Sequence, residues 1–392
     1  MRKIADNIYS VGAIDWDRRL FDELIPLPDG TSYNSYLIKG QEKTVLIDTV
    51  DPEKTEILID NLVSAGVTKI DYIVAHHGEQ DHSGSINDVL LLYPDAKVVA
   101  NEKCKKMLID LLCLDESNFL TIKEGDTLSL GDRTLEFIDT PWVHWPETFS
   151  TYLQEDKILF PCDFFGSHLA TSDIFVENES AIYGPAKRYY AEIMSPFRRQ
   201  IRGNLKKLEK FNIEMIAPSH GPVYKNPKFI IDAYAKWASE DVKNYVMLPY
   251  VSMHDSTRKM VEYFSQSLMD RGVKVDVFNL TDVELGKLAM GLVDAATIVL
   301  ASPTMLIGAH PSAGYAAFLV NALRPKTKFM SIIGSYGWGS KMVDQLTGMM
   351  SQVKAEIIEP VVTKGYPTED DYAKLDELAD AIVAKHKEAS LM

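Results

Sequence analysis

His77-Gly78-Glu79-Gln80-Asp81-His82 places four metal-ligating side chains within six residues. The stretch follows an apolar run, Ile70 to Val74, that reads as a strand, and a helical pattern resumes from Ser85 to Leu92. A lone His or Glu is usually an exposed loop residue. Four potential ligands in one short loop call for another explanation, because a loop can turn side chains toward one point where a continuing strand would alternate them between faces. Three later positions repeat the arrangement. His144 in Thr140-Pro141-Trp142-Val143-His144-Trp145-Pro146, Asp163 in Leu159-Phe160-Pro161-Cys162-Asp163 and His220 in Ala217-Pro218-Ser219-His220-Gly221 each follow an apolar strand pattern. Ligands delivered from several strand ends to one rim make a metal site. Any one of them alone is weak, and Asp163 by itself reads equally well as a turn residue.

Around these residues the first part of the chain reads as short strands with a few helices. Residues 34–38 and 44–48 form a strand pair, 54–64 a helix, and 97–100, 127–130, 134–138, 151–153, 158–160 and 215–217 further strands; a helical region covers about 186–211. After Trp237 the rhythm becomes strand–helix alternation: strands at 242–251, 273–278, 296–300 and 329–333, helices at 257–266 and 313–323. That alternation predicts a doubly wound parallel sheet. The boundary falls near 238–244, giving domains 1–241 and 242–392.

The ligand spacing resembles the metallo-β-lactamase superfamily, whose motif is His-x-His-x-Asp-His followed by a His, an Asp and a final His. Here Glu79 stands where the second histidine belongs. With that substitution, His77, Glu79, Asp81, His82, His144, Asp163 and His220 are similar to the flavodiiron protein family. The resemblance implies an N-terminal αββα metallo-β-lactamase-like sandwich followed by a C-terminal doubly wound flavodoxin-like sheet. It implies one iron on His77, Glu79 and His144, a second on Asp81, His82 and His220, and Asp163 bridging them; His82 is not a direct ligand throughout the family. The donor chemistry agrees independently. Three carboxylates and four imidazoles with no thiolate are a harder set than most zinc sites, and Zn²⁺ has no redox chemistry. Cys162, beside Asp163, reads as a small buried residue.

In the second domain, Ser252-Met253-His254-Asp255-Ser256-Thr257 joins the first strand to a helix. Taken alone, a hydroxyl-rich turn before a helix is most simply an ordinary cap; it also suits a phosphate. The segment resembles the flavodoxin phosphate loop. Ser302-Pro303-Thr304-Met305 and Ser335-Tyr336-Gly337-Trp338-Gly339 are expected as loops after two later strands, at the carboxyl edge where open α/β sheets take ligands. The three segments together imply bound FMN, with Tyr336 and Trp338 offering aromatic faces. His254 is placed near the flavin, and His168 is a candidate partner of a metal ligand. Tyr189, Tyr190 and Trp145 are expected near the metal pocket as packing residues, and His310 and His386 at the surface. The family's histidine ahead of the metal motif has no counterpart, since none precedes His76.

Composition narrows the remaining choices. A net charge of −15 gives no basic footprint for nucleic acid. No apolar run is long enough to span a membrane, and Met1 to Asn7 lacks a signal-peptide core. Three cysteines without a CxxC pair cannot build a rubredoxin site, and a reducing cytoplasm is the simplest setting. Full reduction of O2 to water takes four electrons, two from a ferrous pair and two from reduced FMN, whereas reducing two NO to N2O takes two; that count explains the fusion. The resemblance implies O2 or NO as substrate and a minimal two-domain member of the family. Its donor would be rubredoxin, a reduced deazaflavin or an NADH-linked reductase. It also implies a head-to-tail homodimer, or a dimer of dimers, with the FMN of one subunit facing the iron site of the other. The rival readings are a zinc-dependent hydrolase with an appended FMN domain and an electron carrier with a vestigial metal domain.

Overall fold

The computed structural model describes all 392 residues. They form two compact units, Met1–Ala238 and Ser239–Met392.

In the first unit, a seven-stranded sheet runs in the order Arg2–Ala5, Ile8–Ser10, Tyr36–Lys39, Thr44–Ile47, Tyr72–Val74, Lys97–Asn101, Phe119–Ile122. A five-stranded sheet runs Thr127–Ser129, Thr134–Asp139, Phe149–Leu153, Ile158–Phe160, Met215–Ile216. Period-two alternation assigns the faces. Val45, Ile47, Val74 and Val99 of the first sheet pack against Leu135, Phe137, Phe149, Leu153, Ile158 and Phe160 of the second. The alternate residues Leu46, Ile73, Val98 and Ala100 turn outward onto Leu58 and Leu62 of helix Thr55–Ser64, Ile86 and Val89 of Ile86–Leu92, and Cys104 and Leu108 of Glu102–Leu112. On the far side, helix Arg198–Leu208 reaches the end of the strand Thr134–Asp139: the Lys207 ammonium donates to the Asp139 carbonyl and the Asn204 amide to that of Pro141. The layering is αββα.

The second unit is a parallel sheet ordered Lys274–Asn279, Lys243–Tyr250, Ala295–Met305, Phe329–Tyr336, with Glu356–Ile357 and Val361–Lys364 both beside the last strand. Met247, Ile298, Leu300, Met330 and Ile332 face helices Leu285–Leu292, Pro311–Leu323 and Met342–Met349. Val246, Leu248, Val299, Ala301 and Ile333 face Ser256–Asp270 and Glu369–Glu388. Both faces are covered, as a doubly wound sheet requires.

Several expectations need correction. The strand expected at 296–300 extends to Met305, so Ser302, Pro303, Thr304 and Met305 are extended chain rather than loop. Ser302 and Pro303 pair in parallel with Gly334 and Ser335, while Thr304 and Met305 pair with the returning Gly308–Ala309. Likewise the strand at 329 runs to Tyr336, leaving only Gly337, Trp338 and Gly339 of that segment beyond it. The helical region given as 186–211 begins at Glu179 and is broken: Glu179–Tyr189, a wide turn Tyr190–Met194, a tight turn Ser195–Phe197 and Arg198–Leu208. Pro196 cannot donate an amide to a continuous helix. Asp81 and His82 lie on a single helical turn, Gln80–Ser83, rather than in open loop. His386 is fully buried, not at the surface, and His310 is half-buried as the cap of helix Pro311–Leu323, accepting from the Ser312 amide.

Candidate metal centre

Four strand ends and one helical turn deliver the seven predicted ligands to a single, largely buried site. Strand Tyr72–Val74 ends just before His77 and Glu79, and the turn Gln80–Ser83 carries Asp81 and His82. His144 follows Thr134–Asp139, Asp163 follows Ile158–Phe160, and His220 follows Met215–Ile216. At Gly221 a positive φ of +80° and the close approach of Ser167 leave no room for a Cβ, so glycine is required where the chain turns away from His220.

The donors fall into two groups. In the first, Glu79 Oε2 lies 2.9 Å from His77 Nε2 and 3.1 Å from His144 Nε2, and Asp163 Oδ2 lies 3.6 and 3.7 Å from the same two nitrogens. In the second, Asp81 Oδ2 lies 3.3 Å from His82 Nε2 and 3.2 Å from His220 Nε2. Asp163 Oδ1 lies 2.9 and 3.3 Å from those nitrogens. Asp163 thus turns one oxygen to each group. Both oxygens of Asp81, both of Asp163, and Nε2 of His82 are buried yet satisfy no hydrogen-bond geometry. They are close enough to bond one another but are not aimed at one another. Buried carboxylate oxygens without partners are costly, and a cation that each lone pair addresses resolves that cost. The residues therefore fit a pair of metal ions.

Electrostatics reinforce the fit. Burial alone would depress the ring of His77, but bonds to Glu147 and Glu79 hold it well above its ordinary range. His220 is likewise pushed up to about 10, the Asp163 and Asp81 carboxylates beside it outweighing burial. Burial alone would raise Asp163 and Glu79; the surrounding imidazoles hold both below the usual carboxylate range. These groups want a cation between them, and protons are the competitor.

A further layer orients the ligands. Nδ1–H of His77 donates to Glu147 Oε1 at 2.8 Å, and the Gly78 amide donates to the same oxygen at 3.0 Å. The Trp145 ring stands edge-on to His77 at 4.7 Å. His220 Nδ1–H donates to the Ser32 carbonyl at 2.7 Å. His168 is buried with Nδ1 bonded to Thr31 Oγ1 at 2.9 Å, its ring 4.8 Å from those of both His220 and Tyr189. Burial and its neighbour His220 hold His168 neutral. Tyr189 and Tyr190 are buried. Cys162 lies beside Asp163 and His82, but burial and the Asp163 charge push its thiol well up, leaving it a poor ligand. The hairpin Leu20–Pro26 carries Asp22, whose carboxyl is pushed up by burial and by the charges of Glu79 and Asp81.

Two polar residues escaped the sequence reading. Glu147 is buried three residues after His144, and a carboxylate so close to a ligand histidine was the available signal. His76, next to the motif, bridges the two sheets: Nδ1–H donates to Asp48 at 2.7 Å, and Nε2 meets Thr151 Oγ1 at 2.7 Å. Nothing in the local sequence marks Asp48 or Thr151 as its partners.

In the second unit, the predicted flavin segments meet at the carboxyl edge of the sheet. Thr257 Oγ1 lies 3.2 Å from Ser335 Oγ, and Thr304 Oγ1 lies 2.7 Å from Ser340 Oγ. Asp255, the cap residue of helix Ser256–Asp270, makes no side-chain bond to the first turn, which leaves the Thr257 amide there suited to an anion. Ser252 Oγ accepts from the Arg258 amide, and Ser302 Oγ accepts from that of His310. Trp338 is 82% exposed, Met253, His254 and Asp255 are exposed, and Tyr336 is half-buried. Gly337 and Gly339 have no neighbour where a Cβ would stand.

Residues 31–221 match the ODP family beta lactamase. A nitric oxide reductase from Moorella thermoacetica is 36% identical over 391 residues, covering 97% of this chain and 98% of that one. The rubredoxin oxygen:oxidoreductase of the anaerobe Desulfovibrio gigas superposes with a TM-score of 0.95 at 29% identity, over 98% of each chain. The flavodiiron protein from Giardia intestinalis superposes with a TM-score of 0.89 at 28% identity, again over 98% of each chain.

The chain belongs to the flavodiiron protein family. The expected order of an αββα sandwich and a parallel α/β sheet is that of the flavodiiron fold. The chain is an oxidoreductase, as these flavodiiron relatives are. No helix is long and apolar enough to cross a membrane.

Proposed function

We propose that this flavodiiron protein reduces O2 to water, NO to N2O, or both, at a non-haem iron pair fed by FMN. Residues 1–241 make the diiron domain and 242–392 the FMN domain. His77, Glu79 and His144 would hold one iron and Asp81, His82 and His220 the other, with Asp163 placed between the two groups. The observation that carries this reading is the pair of buried donor groups joined by Asp163, with Glu79 making the first group harder than an all-histidine zinc set. When bound, the irons supply redox equivalents and Lewis acidity, and the flavin stores electrons.

The chain's own residues prepare the site. Asp81, His82, Asp163 and His220 are almost wholly buried, so solvent does not compete for their lone pairs. Glu147 and the Ser32 carbonyl fix which nitrogen of His77 and His220 faces the ions. In the second domain, the hydroxyls of Ser252, Ser256 and Thr257 and the first helical turn take the FMN phosphate, with Met253, His254 and Asp255 completing the loop. Ser302 to Met305 and Ser335 to Gly339 line the flavin, with Trp338 as its exposed aromatic face.

The donor class is a rubredoxin, a reduced deazaflavin or an NADH-linked reductase; the Desulfovibrio gigas protein is named for the first. A head-to-tail homodimer, or a dimer of dimers, is supported by apolar side chains exposed on each unit. These are Trp16, Leu24 and Trp142 on the first, and Leu306, Ile307 and Trp338 on the second. Three unpaired cysteines suit a reducing cytoplasm.

The test is anaerobic stopped-flow oxidation of the fully reduced protein by O2 and by NO, with iron and FMN quantified on the same sample. Rapid, stoichiometric oxidation by either gas is expected. Protein that carries zinc, takes up no iron and oxidises slowly would replace this reading with a zinc hydrolase.

A further inference from the structure

The two donor groups are backed differently. In the first, the His77 ring is held by a carboxylate: Glu147 is 1% exposed, and its Oε1 accepts both His77 Nδ1–H at 2.8 Å and the Gly78 amide at 3.0 Å. Glu147 Oε2 is buried without a partner, and the carboxylate forms no ion pair other than that with His77. Its charge is therefore directed into that one ring. The backbone of Glu147 is fixed as well, its carbonyl accepting from the Asn101 amide at 2.7 Å. In the second group, His220 leans on a neutral carbonyl, that of Ser32, and His82 Nδ1 is buried with no partner at all. A carboxylate behind a ligating imidazole increases the basicity of the far nitrogen and fixes its direction; a carbonyl does so less, and an empty position not at all.

We infer that Glu147 is a positioning residue that makes the two metal subsites unequal, so that the subsite of His77, Glu79 and His144 fills first and more tightly. This rests on the dinuclear reading above. The Gly78 contact adds a second effect. Because one oxygen holds both the ring and the backbone beside it, loss of Glu147 frees the direction of His77 as well as lowering its donor strength.

The experiment is titration of the metal-free full-length protein with Zn²⁺, a redox-silent probe, by calorimetry against a competing chelator. The wild type is expected to bind two ions in two separated steps. Glu147→Gln keeps the size and the acceptor oxygen but loses the charge, and weakens the first step 10- to 100-fold while moving the second less than about threefold. Glu147→Asp restores part of the first step. Should Glu147→Gln fail to fold, as judged by circular dichroism of the metal-free form, two ligand variants answer the same question. His144→Gln abolishes the tight step, whereas His82→Gln spares it. A wild type that binds fewer than two ions sinks the dinuclear reading itself. Two equal steps, a tight step untouched in Glu147→Gln, or a tight step lost with His82 rather than His144 overturns this inference alone.

Discussion

Removing the metal ions should destabilise the first unit by about 5 kcal/mol, and the structure supplies the magnitude by two routes. Five buried atoms lack hydrogen-bond partners: the two oxygens of Asp81, the two of Asp163, and His82 Nε2. Each orphan costs about 1–3 kcal/mol. The lower end applies, because the imidazoles nearby attract the carboxylates even without directed bonds, and it sums to about 5 kcal/mol. Mass action gives the same scale: an ion at one hundred times its Kd stabilises by about 2.7 kcal/mol, and two such ions by about 5. For a unit of this length, Met1–Ala238, each kcal/mol moves the midpoint by about 2–4 °C. Calorimetry of protein stripped by an anaerobic chelator, then reloaded with two equivalents of Fe²⁺ or Zn²⁺, should show a rise of about 10–20 °C on reloading. Emission from Trp145, packed on His77, reports the transition locally. A shift below about 3 °C, with both ions shown to be bound, would refute the claim that these atoms wait for a cation.

Other outcomes follow from single groups. With His220 pushed up to about 10 by Asp163 and Asp81, ion binding at neutral pH must expel its proton, so metal affinity should rise about tenfold per pH unit for each ring that deprotonates; calorimetry in buffers of differing ionisation heat measures the release, and none detected would contradict it. His386, buried between Thr297 and Asn244, is held down by burial from 6.5 to about 4. It stays neutral in the fold while the unfolded chain takes a proton, so stability is intact above pH 6.5 and falls by up to about 3 kcal/mol as pH drops toward 4, a slope that His386→Gln should flatten in urea titrations. Thr257→Ala, removing a hydroxyl from the proposed phosphate loop, should weaken FMN binding by about 1.5–3 kcal/mol, roughly 10- to 150-fold in Kd, measured by flavin fluorescence.

The convergence of the seven candidate ligands was readable because they announce themselves locally: a polar, chelating side chain shortly after an apolar strand pattern, repeated at His77, His144, Asp163 and His220. The partners behind them were not, because they depend on register between sheets. Thr151 meets His76 only because the strand Phe149–Leu153 lies across the sandwich from Tyr72–Val74, and no local pattern encodes that offset. Glu147 is intermediate: it lies near His144 in sequence, yet it serves His77, seventy residues earlier.

The two misplaced strand ends in the second unit have one physical origin. Ser302-Pro303-Thr304 carries the composition of a turn, and turn composition was allowed to end the strand. The backbone is decided instead by what lies alongside. A parallel partner, Gly334 and Ser335, holds Ser302 and Pro303 extended, and Gly334 permits it because a side chain there would collide with the Ser302 carbonyl. His386 fails for the opposite reason, since its surroundings were in the sequence and only its polarity was read. Leu375, Leu378, Ala379 and Ile382 recur at helical spacing on Glu369–Glu388, and position 386 continues that face by one more turn. Burial of an imidazole there is acceptable because Thr297 and Asn244 satisfy both ring nitrogens. His76 is satisfied in the same way, by Asp48 and Thr151. His82 differs: both its ring nitrogens are buried without a hydrogen-bond partner, and Nε2 lies beside oxygens of Asp81 and Asp163 that are unsatisfied too, an arrangement a cation would complete.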